Sequence, residues 1–218
     1  MENRKNTILL TVIAVATLLV AVVGATFAYF TAQGGAGASA KVTVTTGTAA
    51  SSDLGTFGAI NIYADATTFA KGKGDATGET TGTVSWTAPG ATADHTPDET
   101  DRTFCYNASL VIDKNTFTKS VANTTNAKEL YYKVVKGTTT LIDEDSLVDL
   151  STGTGITGTL KIPTTKGGKN YNHTLIADAG ATISDSWTIT VTLKNLDIDQ
   201  NENTGKQLTG TLQFNKCA

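Results

Sequence analysis

The sequence predicts an all-β protein, an antiparallel β-sandwich, preceded by one N-terminal hydrophobic helix that serves as a signal or an anchor. Three observations carry this. About nine or ten short segments alternate apolar and polar residues with the period of two that a half-buried strand requires. Charged residues make up only 17% of the chain, and Thr and Gly are abundant, which suits β-branched strands cut by turns. The strand–helix–strand rhythm of a parallel sheet is missing.

The N-terminal stretch comes first. Residues Ile8 to Gly24 are uncharged and interrupted only by Thr11 and Thr17; Arg4 and Lys5 precede them, and Ala25-Thr-Phe-Ala-Tyr-Phe30 follows. A basic flank, an apolar core and small residues before a cleavage point make an export signal, and cleavage between Ala28 and Tyr29 would leave Thr26 and Ala28 in the small-residue positions. The same run, extended to Phe30, is also long enough to stay in the bilayer as a retained helix. Arg4 and Lys5 would then hold the cytoplasmic end, with Tyr29 and Phe30 at the outer interface. Both readings place the remainder outside the cytoplasm, secreted or anchored at the cell surface. The division expected is a signal or anchor over residues 1–30, a linker and candidate donor strand over 31–46, and a β-sandwich over 47–218.

Residues Thr31 to Ala40 are small and suit a flexible linker. Lys41-Val-Thr-Val-Thr45 alternates as a strand, as does Ala59 to Tyr63, with Ile60 and Ile62 on one face. Ala64 to Gly82 reads as a polar loop. Its Lys71-Gly-Lys-Gly74 piece lacks both the G-x-x-x-x-G-K-[ST] spacing and the strand–helix setting of a phosphate loop. Thr83 to Thr87 is a strand carrying Val84 and Trp86, and Ala91 to Asp101 a second polar loop. The strand after Asp101 puts Phe104, Tyr106, Ala108, Leu110 and Ile112 on one face and Cys105, Asn107 and Ser109 on the other.

Asn115 to Asn126 is polar and suits a loop. Leu130 to Val135, a Lys136-Gly137 turn and Thr138 to Ile142 form a hairpin. Asp143 to Leu150 is the candidate helix, about two turns long and too short to stand alone. Ile156, Leu160 and Ile162 mark one strand, Thr174 to Ala177 another, and Ser186 to Leu193 a third with Trp187, Ile189, Val191 and Leu193 inward. Leu208, Leu212 and Phe214 belong to the last.

The function classes excluded are as informative. A net charge of −3 leaves no electrostatic footprint for nucleic acid. Asp197, Asp199, Asn201 and Asn203 place oxygen side chains at alternate positions, as a calcium loop does. The EF-hand pattern also needs Gly at position six and Glu at twelve, where Glu202 and Leu208 stand. The segment therefore reads as a polar hairpin turn with Gly205 at positive φ, weak calcium binding being the minority alternative. His95 and His173 are the only histidines, neither lies in an H-E-x-x-H pattern, and both read as loop residues. No G-x-S-x-G elbow is present. Cys105 and Cys217 fall on the outer faces of their strands. If those strands are neighbours, a disulfide would close a loop of about 110 residues and contribute about 4–5 kcal/mol; if not, both are free thiols. Trp86, Tyr106 and Trp187 alternate with polar residues, which favours core packing over a sugar platform.

Two stretches carry a likeness. Gly24-Ala-Thr-Phe-Ala-Tyr-Phe30 resembles the signal junction of TasA and camelysin-like proteins of Gram-positive bacteria, which the peptidase SipW processes. Ser186 to Leu193, Asp199-Gln-Asn and Gly205 to Phe214 resemble the end of domains of that family. The likeness covers roughly the first 30 and last 35 residues. It implies an extracellular matrix or biofilm protein that assembles into fibres by strand donation. Val42 and Val44, beyond the flexible segment, are the candidate donor strand, and the expected partners are copies of the chain itself or a related surface protein. The expected fold is a sandwich of jelly-roll type without a cofactor. Some relatives are described as metallopeptidases, but no zinc motif stands here to carry that over. A membrane-tethered extracellular binding module is the alternative function.

Overall fold

The computed structural model describes residues 48–49 and 56–217. They fall in the second of two compact units of the chain, Ala38–Ala218. The expected signal or anchor helix, the Ala28–Tyr29 junction, Val42 and Val44 lie outside the described residues.

The described chain is all-β and mostly antiparallel. Its strands are β1 (Thr48–Ala49), β2 (Thr56–Tyr63), β3 (Ala76–Thr87), β4 (Thr103–Asn115), β5 (Leu130–Lys136), β6 (Thr139–Ser146), β7 (Val148–Asp149), β8 (Thr154–Gly155), β9 (Gly158–Ile162), β10 (Asn172–Ile176), β11 (Thr182–Leu193) and β12 (Gln207–Lys216). The first sheet runs β1-β3-β11-β5-β6; the second runs β10-β4-β12-β2, with β9 also paired to β4. β7 and β8 form a small ribbon. Every pairing is antiparallel except β1 with β3.

Alternation drives the packing. The five apolar residues foreseen on one face of β4 are all buried, as are Trp187, Ile189, Val191 and Leu193 of β11 and Leu208, Leu212 and Phe214 of β12. Trp187 of the first sheet meets Phe214 of the second at 5.7 Å between ring centroids, so the two inner faces share one core. Each such large side chain taken fully from water contributes about 1.5–3 kcal/mol.

Three expectations are corrected. Residues 76–82 are not loop: they are the first half of β3, with Ala76, Gly78, Thr80 and Gly82 facing inward. Asp143 to Leu150 is not a helix. Asp143–Ser146 extends β6 beside β5, and Val148–Asp149 forms β7, because Tyr131 and Tyr132 offer a pairing edge. The strand expected across Ile156 to Ile162 starts only at Gly158, φ +99°, as β9; residues 156–157 separate it from the two-residue β8. No helix among the described residues is long and apolar enough to cross a membrane.

Candidate functional site

The two flanks of the first sheet, β3 with the two-residue β1 beside it and β6, differ in kind. β3 is paired along all twelve residues to β11 without a register break. On its other side the described residues supply only Thr48 and Ala49, in parallel, opposite Thr83 and Val84. Glu79 is the one charged residue in β3. β6 at the far edge carries exposed Asp143, Glu144 and Asp145, and its pairing with β5 shifts register twice. Charges and bulges are how sheets discourage further pairing. β6 has both; β3 has the single charge of Glu79 and no bulge in its pairing with β11.

The inward side of the first half of β3, Ala76, Gly78, Thr80 and Gly82, is small, before Val84 and Trp86. A Cβ on Gly82 would stand 2.9 Å from Phe214 Cε2 and 3.0 Å from Leu212 Cδ2, so β12 fills the space that β3 leaves. Gly58 of β2, at φ +51°, presses on Thr80 in the same way. Thr80 is fully buried, and its hydroxyl finds no partner among the described residues.

The calcium candidates do not converge. Asp197 Oδ1 accepts the Gly72 N–H at 2.7 Å, and Asp199 Oδ1 accepts that of Asn201. Asn203 is buried in a short 3₁₀ turn, Asn201–Asn203, and donates to the Thr118 carbonyl. Gly205 does take a positive φ, +76°. Among the described residues no three His, Cys, Asp or Glu side chains gather to hold a metal.

Cys105 and Cys217 are joined by a disulfide between β4 and the residue after β12, with Cα atoms 5.4 Å apart. The register that sets Lys216 opposite Tyr106 brings the next pair together.

His95 sits in a loop, its Nε2 2.8 Å from Asp101 Oδ2. That contact, first as a hydrogen bond, holds the Asp101 carboxyl below the ordinary carboxylate range. His173 is a correction: it lies in β10, 2% exposed, not in a loop. Its ring stacks on Tyr106 and meets Trp187 edge-on at 4.8 Å. Nε2 donates to the Ile162 carbonyl at 3.1 Å, which fixes the neutral tautomer. Burial lowers its pKa.

Sequence reasoning missed the knot around Glu129, which is 2% exposed. Its Oε1 accepts the Ser120 N–H at 2.8 Å and Asn123 Nδ2 at 2.7 Å; Oε2 accepts the Ser120 hydroxyl at 2.6 Å and Gln200 Nε2 at 3.0 Å. Asn203 Nδ2 adds a longer contact at 3.4 Å. All five donors are neutral. The carboxyl ties the loop before β5 to the turn before β12. These partners are up to 74 positions apart, so no local spacing announces them.

A cleft of about 670 Å³ opens between β6 and the 163–171 loop, lined among others by Lys128, Lys161, Lys166, Lys169, Tyr132 and Tyr171. Lys166 is engaged by Asp143 at 3.0 Å, and Lys161 lies over the Tyr171 ring at 5.8 Å. Burial, then Asp145, pushes the Tyr132 phenol up to about 12. Comparison of the chain with protein-family models, curated proteins and solved structures found no match.

Proposed function

We propose that this chain is an exported, non-catalytic structural protein of the cell surface or extracellular matrix, whose subunits join by strand donation. The observation that carries it is the contrast between β6 and β3, the long strands nearest the two flanks of the first sheet. β6 is charged and irregular, whereas β3 is long, regular and covered among the described residues by two residues. Those two, Thr48 and Ala49, follow the 31–46 segment that carries the candidate donor residues Val42 and Val44. An incoming strand is held there by backbone hydrogen bonds, which is how edge addition gains affinity.

The strand order supports the jelly-roll form of the fold. β9 and β10 both pair β4 and act as one broken strand; with β2 counted first, the sheets read 1-8-3-6 and 2-7-4-5. That is the interleaving of two four-stranded Greek keys. The likeness to TasA and camelysin-like proteins at both ends of the chain points the same way, as does the export signal.

The test is deletion of residues 33–46 from the exported chain, examined by negative-stain microscopy. Loss of filaments with retained β-sheet circular dichroism is expected. Filaments that persist overturn the proposal. A second reading, a tethered extracellular binding module, draws on the lysine- and tyrosine-lined cleft.

A further inference from the structure

Four ion pairs stand among the described residues, and one is unlike the rest. His95–Asp101, Arg102–Asp178 and Lys166–Asp143 each have at least one side chain well exposed, whereas Lys136 and Asp185 are 24% and 19% exposed. Lys136 ends β5 directly opposite Trp187, and Asp185 lies two residues back along β11, so both follow the inward phase of their strands. The Lys136 amine reaches Asp185 Oδ2 at 2.7 Å and lies 5.8 and 5.7 Å from the ring centroids of Tyr106 and Trp187.

Tyr106 completes the arrangement. Its hydroxyl donates to the same Asp185 Oδ2 at 2.5 Å and accepts the Trp187 indole N–H at 3.2 Å. Desolvation by burial, then the Asp185 carboxylate, raise the Tyr106 pKa far above its ordinary value, so the phenol keeps its proton and remains a donor. A pair of opposite charges turned toward a core is a poor source of stability, because desolvation offsets most of the attraction. Such a pair calls for another reason to exist.

We infer that Lys136 and Asp185 are the two halves of an intramolecular amide cross-link between β5 and β11. The reaction is a condensation that needs no oxidant, reductant or co-reactant. The Lys136 nitrogen gives up two of its three protons and forms a bond to Asp185 Cγ. The Cγ–Oδ2 bond breaks, and Oδ2 leaves as water with those two protons. Tyr106 O–H, already hydrogen-bonded to Oδ2, polarises the carboxyl and marks that oxygen as the one to leave; the phenol ends unchanged. Aromatic rings on two sides limit the water that would favour hydrolysis, as other water-poor sites do. The bond would join residues 49 apart in sequence, at the end of the sheet away from Leu130 and Leu193.

This inference does not depend on fibre formation. Its test is the intact mass of the purified, folded full-length chain, together with the K136R variant, which keeps the positive charge but cannot form this amide. The expected wild-type mass is one water below that of the disulfide-bonded chain, and digestion should yield a branched peptide joining Lys136 to Asp185. K136R should show the full mass with the same β-sheet circular dichroism. A wild-type mass without the deficit, after prolonged incubation of the folded protein, overturns the inference. So does a deficit retained in K136R, which would place the lost water in a backbone imide.

Discussion

Gly82 of β3 and Phe214 of β12 face each other across the core so closely that a methyl group on Gly82 would stand 2.9 Å from the ring. The glycine is therefore a packing residue, and G82A should lower stability by about 1–3 kcal/mol through overpacking. Urea unfolding measures it. Pairing G82A with F214L should recover part of the loss, since contacting residues couple; strict additivity would mean the two do not share this space.

Removal of the Glu129 carboxyl leaves several buried donors unmatched at once. E129A should cost about 2–5 kcal/mol, more than an ordinary surface change. E129Q should fall between, because its amide presents a donor to neighbours that are donors already. The loops at 116–128 and 194–206 should then lose amide-exchange protection together. Loss in one loop alone would mean that the knot does not couple them.

The Cys105–Cys217 disulfide spans 112 positions, so reduction should destabilise the fold by about 4–5 kcal/mol on the chain-entropy model. Denaturant midpoints with and without a reducing agent give the value. A C105S/C217S variant should match the reduced protein and be indifferent to the reagent.

His173 gives a pH dependence with a definite sign. Burial lowers its pKa from the ordinary 6.5 and the Ile162 carbonyl opposes it; while Lys136 and Asp185 are uncondensed, the Lys136 charge adds to the lowering and Asp185 opposes it. As pH falls below 6.5, the unfolded chain binds a proton that the folded chain refuses until its own lower pKa. The contribution is fully present above 6.5 and is lost progressively down to that folded value, at no more than about 1.4 kcal/mol per pH unit. H173F should remove that limb from the stability–pH profile, although its baseline drops because the Ile162 carbonyl loses its donor. An unchanged limb in H173F would assign it elsewhere.

Where side-chain size and alternation agreed, the strands were legible. Phe104 to Ile112 and Trp187 to Leu193 announce their buried faces by large apolar residues at every second position. Residues 76–82 have the same alternation, but Ala76, Gly78, Thr80 and Gly82 carry no hydrophobic signal; Leu212 and Phe214 occupy the space opposite Gly82, and Thr80 lies against Gly58. Asp143 to Ser146 misled because acids before Leu147 and Val148 look like a helix start, whereas here they decorate an outer strand. His173 lies between Asn172 and Thr174, and only its partners Tyr106 and Trp187, on distant strands, mark it as core. The facing of Lys136 toward Asp185 was equally hidden, being set by the β5–β11 register.

The unequal outer strands of the first sheet also bear on the shape of any product. A body that accepts a strand on one flank, and offers one strand of its own, has at most two neighbours. Repetition of that unsymmetrical contact gives an open filament where the rotation between neighbours does not close, and a ring where it does, but not a layer. An open product of strand donation is an unbranched thread with a head and a tail. A truncated copy without the offered strand would cap one end and leave the other growing.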